Sequence, residues 1–75
     1  MSAAIRVVLT ENAFKMVEAA MVRALREGKR EAEKPLERLR SERTVEVQPG
    51  AMTGWYVEPI SKLMIDPDMV ESTQH

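Results

Sequence analysis

The sequence contains no cysteine, and its single histidine is His75. Disulfide bonds are therefore excluded, and a zinc site, which needs several Cys or His side chains at defined spacing, is not predicted. Catalysis by a nucleophile with a histidine base is disfavoured, because a base on a frayed terminus is not held against its partner. We predict no catalytic residue, no metal ligand, no cofactor and no small-molecule substrate.

Long apolar runs are also missing. No segment approaches the roughly 20 apolar residues needed to span a bilayer, and residues 1 to 10 lack the basic start and apolar run of a signal peptide. The absence of cysteine fits a reducing compartment. We therefore expect a cytoplasmic protein without a membrane partner.

The carboxylates offer two candidate sites, and neither is convincing. Asp66 and Asp68 resemble part of a calcium loop, but Pro67 separates them and the required glycine and distal glutamate do not follow, so helix capping is the better interpretation. Glu46 and Glu58 could meet across a hairpin, yet both occupy strand positions that are predicted to be solvated.

Seventy-five residues form one small domain, 1 to 75. A chain of this length buries only about 60% of its unfolded surface, and such folds are commonly reinforced by disulfides, a metal or oligomerisation. Because the first two are disfavoured here, we expect a homodimer.

The first two thirds of the chain predict a strand followed by helix. Residues 4 to 9 are β-branched and short, which is typical of a strand. Thr10 is a suitable cap for a long amphipathic helix that reaches about residue 33. Pro35 interrupts helical hydrogen bonding, so we predict a break near it and a shorter second helix over residues 35 to 43.

The last third predicts a small antiparallel sheet, which makes the fold α+β. Alternation indicates strands at residues 44 to 48 and 55 to 58, with a further short strand at 62 to 65. A single helical turn is predicted at 67 to 71, and residues 71 to 75 are predicted to be frayed.

The apolar stripe of the long helix predicts a dimer interface. A helix from residue 10 to 33 spans about 36 Å, whereas strands of four to six residues reach only about 15 to 20 Å. Part of the stripe would then remain uncovered in one copy and would pack against a second. The predicted interface residues are Leu25, Gly28, Ala32, Leu36 and Leu39.

A basic row on the same helices is a candidate partner-binding surface. Its members, spaced four residues apart, are Arg26, Arg30, Lys34 and Arg38. The simplest interpretation is a solvated helix face; the functional interpretations are binding to an acidic protein surface or to nucleic acid. Nucleic acid is disfavoured because Glu33 and Glu37 interrupt the row and no aromatic residue lies beside it.

The second candidate surface surrounds the only tryptophan and tyrosine. Trp55 alternates with Val57 and is assigned to the core, whereas Tyr56 points the other way and is assigned to partner contact. Met52, in the preceding loop, is grouped with Tyr56 because methionine suits adaptable binding surfaces.

These observations lead to three functional hypotheses. We expect a non-catalytic, regulatory protein that binds another protein and acts as a homodimer. The alternative is a transcriptional regulator that binds nucleic acid through the basic row. An enzyme whose site is shared between subunits is the least favoured.

Overall fold

The computed structural model describes residues 5–49, 54–57, 60 and 63–74. Within these residues the chain forms two α-helices and five strands, and the α+β prediction is confirmed. In chain order the elements are β1 (Ile5–Leu9), α1 (Glu11–Arg26), α2 (Glu33–Glu42), β2 (Thr44–Pro49), β3 (Trp55–Val57), β4 (Met64–Ile65) and β5 (Val70–Gln74). One 3-10 turn, Arg30–Ala32, precedes α2, and another, Pro67–Met69, precedes β5.

The strands form one antiparallel sheet in the order β4-β3-β2-β1-β5. β1 lies between β2 and β5 and pairs with both. Because side chains alternate along each strand, one face of the sheet collects the apolar residues. These residues, which join buried residues of both helices in one core, are Val7, Leu9, Val45, Val47, Val57 and Ile65.

The start of α1 follows the prediction. Thr10 has an extended backbone and caps the helix, since its Oγ1 accepts a hydrogen bond of 3.3 Å from the Ala13 N–H. Glu11 places a negative charge in the first turn, where it interacts favourably with the positive end of the helix dipole. Neither helix in the described part of the chain has the length and apolar character to cross a bilayer.

The end of α1 differs from the prediction. The helix stops at Arg26, and Gly28 follows with a φ of 89°. The Gly28 N–H donates to the Leu25 carbonyl and the Lys29 N–H donates to the Ala24 carbonyl, each at 3.0 Å. This pair of hydrogen bonds is a Schellman motif, which satisfies carbonyls that the helix end leaves unpaired. The predicted continuation of the helix to residue 33 is therefore wrong.

Pro35 does not break a helix. α2 has Ala32 at its N-cap, so Pro35 is its third residue. The first N–H groups of a helix have no intrahelical acceptor, and a proline there removes no hydrogen bond. The predicted break near Pro35 is instead located at Gly28, and a second helix is present, as expected.

The Gly28 turn returns the chain to the sheet, and α2 packs beside α1. As a result Ala32, Leu36 and Leu39 are 0%, 4% and 0% exposed within a single chain. The expectation that these three residues of the stripe remain uncovered in one copy is wrong. The expectation depends on one long helix from residue 10 to 33. In the structure the 16 residues of α1 extend only about 24 Å, and the two short helices both fit over the sheet.

The C-terminal third contains the predicted strands at nearly the predicted positions. The helical turn also appears, as the 3-10 turn Pro67–Met69. The prediction of fraying is wrong for residues 71 to 74, which pair with β1 as part of β5; residue 75 lies outside the described residues. Sequence reasoning missed β5 because its polar side chains do not show the apolar alternation of a half-buried strand.

Replacing Gly28 by alanine should distinguish a chain reversal at Gly28 from a helix that continues through it. The change in the free energy of unfolding has opposite signs in the two cases. A left-handed backbone costs a residue with a Cβ roughly 1–2 kcal/mol. Among the residues that the structure describes, no atom lies within 4 Å of an added Cβ, so packing against them would not alter the result. Gly28→Ala should therefore lower the free energy of unfolding by about 1–2 kcal/mol in denaturant titrations. In a continuous helix the same change would stabilise by about 1 kcal/mol.

Gly28→Asn is the matched control. Asparagine adopts the left-handed conformation more readily than alanine, so its loss of stability should be smaller. A gain in stability for Gly28→Ala would contradict the chain reversal at Gly28.

Candidate binding surfaces

A groove of about 350 Å³ lies where the exposed side of α1 meets α2. We call it the basic groove. Its lining residues are Lys15, Glu18, Ala19, Val22, Arg23, Arg26 and Arg40. With four cations and one carboxylate, this lining carries a surplus of three positive charges.

Helical spacing brings most of these residues together. Lys15, Ala19 and Arg23 follow one another at intervals of four residues, and so do Glu18, Val22 and Arg26. Residues four apart lie on the same helix face, so the two rows run side by side. Arg40 comes from α2 and reaches the groove only because the chain reverses between the helices.

The charges of the basic groove are unequally compensated. Arg40 Nε donates a 2.8 Å hydrogen bond to Glu18 Oε2, and this pair links the two helices. Lys15, Arg23 and Arg26 form no ion pair among the described residues. Arg23 and Arg26 lie in the last turn of α1, where positive charge interacts favourably with the negative end of the helix dipole. Three cations therefore remain available to an anionic ligand.

The predicted basic row is not a continuous surface. Arg26 lies on α1 in the basic groove, whereas Arg30 is in the 3-10 turn after Gly28. Lys34 and Arg38 belong to α2 and face a different cleft. The constant spacing of the row would produce one ridge only in an uninterrupted helix.

That second cleft, of about 290 Å³, lies between α2 and β2. Its charges balance, because its two cations accompany two carboxylates. The lining residues are Glu31, Lys34, Pro35, Arg38, Thr44, Val45 and Glu46. Glu46 Oε1 lies 3.4 Å from both an Arg38 and an Arg6 guanidinium nitrogen. Two arginines thus neutralise Glu46, and the cleft has less attraction for an anion than the basic groove.

The aromatic pair divides between the two faces of the sheet. Trp55 is half-buried against the core, on the face it shares with Val57, as predicted. Tyr56 is half-buried on the opposite face, between Gln48 and Met64 in the strand register. Met52, predicted to accompany Tyr56, lies outside the described residues. Tyr56 is therefore on the other side of the sheet from the helices and the basic groove.

The remaining predicted site residues are dispersed. Leu25 is half-buried and packs against the core, and Gly28 is exposed at the end of α1. Asp66 takes the cap position of the 3-10 turn without a capping hydrogen bond from its side chain. Within the described ranges, no three His, Cys, Asp or Glu side chains are grouped as metal ligands.

Comparison of the chain with protein-family models, curated proteins and solved structures gave no match. The candidate site therefore depends on geometry alone. Of its four cations, sequence reasoning found Arg26 and missed Lys15, Arg23 and Arg40. The spacing of Lys15 and Arg23 was visible in the sequence, whereas the position of Arg40 depends on the packing of α2 against α1.

Truncation of Leu39 tests whether the apolar stripe is core or interface. Because Leu39 is completely buried in one chain, Leu39→Ala should lower the free energy of unfolding by about 2–5 kcal/mol, the usual loss for a core leucine. The loss should be independent of protein concentration in denaturant titrations.

Leu25→Ala provides the comparison, because Leu25 is only half-buried and should lose less stability. An interface role for Leu39 would instead give a loss that varies with protein concentration. That outcome would contradict the assignment of Leu39 to the core.

Proposed function

We propose that this chain is a non-catalytic, regulatory binding protein that holds an acidic segment of another protein in the basic groove. The observation that carries the proposal is the convergence of Lys15, Arg23 and Arg26, none with an acidic partner among the described residues, beside the Arg40–Glu18 pair. An extended acidic peptide supplies several carboxylates along one line. Such a peptide can therefore place a carboxylate near each of several cations along the groove.

The strength of such binding is set by the number of cations. One exposed ion pair contributes only about 0.2–1 kcal/mol, so a single arginine would give little affinity. Several cations act together on a multivalent anion, and the methyl groups of Ala19 and Val22 offer apolar contact between them. The attraction should decline with salt, because exposed charges are screened.

A protein partner is favoured over nucleic acid by the composition of the groove. Its lining contains no aromatic side chain on which a base could stack. The whole chain has a net charge of −1, which disfavours a long polyanion such as DNA more than a short acidic segment. The lack of cysteine and the presence of only one histidine favour a non-catalytic role. The lack of cysteine also favours a cytoplasmic location.

Tyr56 belongs to the proposal as a separate contact surface. Together with Met64, which is 40% exposed, it forms a small apolar area on the sheet face opposite the helices. A short peptide in the basic groove would not reach it, so Tyr56→Ala should leave peptide binding unchanged.

Binding is tested by fluorescence anisotropy with a labelled peptide of alternating glutamate and serine. Arg23→Gln with Arg26→Gln removes two groove cations and should weaken binding about tenfold, equivalent to two exposed ion pairs. The control is Arg30→Gln with Lys34→Gln, which changes the net charge equally at exposed positions outside the basic groove. The control pair should bind within about twofold of the parent protein.

A labelled duplex DNA, titrated at low and at near-physiological salt, is the comparison ligand. Equal losses in the two double variants would show that net charge, and not the groove, attracts the peptide. Tighter binding of DNA than of the peptide at near-physiological salt would favour the nucleic-acid alternative.

A further inference from the structure

Strand β5 forms one edge of the sheet. It pairs with β1 along one side, and no described strand or helix lies along its other side. Glu71, Ser72 and Thr73 are all exposed. The opposite edge is less extensive, since β4 contains only two residues.

The direction of the backbone groups of β5 follows from its neighbours. The Leu9 N–H donates to the Arg43 carbonyl on the β2 side at 3.0 Å, and the Thr10 N–H donates to the Met69 carbonyl on the β5 side at 3.0 Å. Since these directions alternate along a strand, Val8 faces β5, where its partner is Ser72. Ser72 therefore bonds to β1, and the N–H and C=O of Thr73 point outward.

The sequence of β5 does little to block this edge. Natural edge strands are commonly protected by lysine, proline or a bulge. Residues 70 to 74 contain neither lysine nor proline. An irregularity does occur between Val8 and Leu9 of β1, opposite the start of β5, but it leaves the regular pairing of residues 72 to 74 intact.

We propose that β5 pairs antiparallel with β5 of a second copy, so that one sheet continues through a two-fold homodimer. The strand is self-complementary in charge: with the axis at Ser72 or at Thr73, the two Glu71 carboxylates do not face each other. The outward N–H and C=O of Thr73 then bond across the interface. The same patch meets itself, and such an interface closes after two copies.

This dimer replaces the interface predicted from the apolar stripe, whose members Ala32, Leu36 and Leu39 are core residues. It is independent of the basic groove, because β5 contributes no groove residue. A protein that does not bind the peptide could therefore still form the β5 dimer, and a monomeric protein could still bind the peptide.

Thr73→Pro is the direct test. Proline removes the outward N–H of Thr73 and leaves the hydrogen bonds of Ser72 to β1 in place, as edge strands allow. Light scattering at micromolar concentration should give the mass of two chains for the parent protein and of one chain for Thr73→Pro. Circular dichroism should show that the variant remains folded.

Two controls make the result specific. Thr73→Val retains the N–H and should remain dimeric, whereas Ser72→Pro removes an N–H that faces β1 and should lower the melting temperature. A parent mass of one chain, or a folded Thr73→Pro variant that stays dimeric, overturns the proposal.

Hydrogen exchange of the parent protein keeps the proposal testable if Thr73→Pro does not fold. The Thr73 amide should exchange more slowly as protein concentration rises, and the Ser72 amide should be protected at all concentrations. Exchange at Thr73 that does not change with concentration overturns the proposed dimer.

Discussion

The left-handed backbone at Gly28 is the constraint on which the helical layer depends. It ends α1 through two hydrogen bonds to Leu25 and Ala24 and turns the chain so that α2 lies beside α1 and not beyond it. Two consequences follow directly. Leu36 and Leu39 enter the core, and Arg40 reaches Glu18 across 22 residues of sequence, which completes the basic groove.

The sheet supplies the second organising element, in which β1 lies between β2 and the edge strand β5. β1 is short and mostly apolar. The backbone N–H and C=O groups on both of its sides need hydrogen-bond partners when the strand is buried, and β2 and β5 provide them. β2 arrives directly after α2, and β5 arrives from the end of the described chain. This arrangement places the helical layer on one face and leaves β5 at an edge. The basic groove and the β5 edge therefore lie on different elements and can act independently.

Local signals in the sequence predicted much of this fold. The Thr10 cap, the alternation of Val45 and Val47 and the proline that begins the final turn each depend on neighbouring residues only, and the sequence locates each closely. The end of α1 is also signalled locally, by a glycine after two basic residues of a last turn, but Pro35 is the stronger helix-breaking residue in the sequence. The position of Arg40 and the pairing of β5 could not be predicted, because both depend on contacts between residues distant in sequence.

The distance between residues 18 and 40 tests the chain reversal most directly. The chain contains no cysteine, so Glu18→Cys with Arg40→Cys accepts two spin labels at defined positions without competing sites. Electron paramagnetic resonance should give a short distance between the two labels, because helices that pack side by side have axes only about 8–10 Å apart. A separation of about 33 Å, the length of a continuous helix between these positions, would contradict the reversal at Gly28 and with it the basic groove.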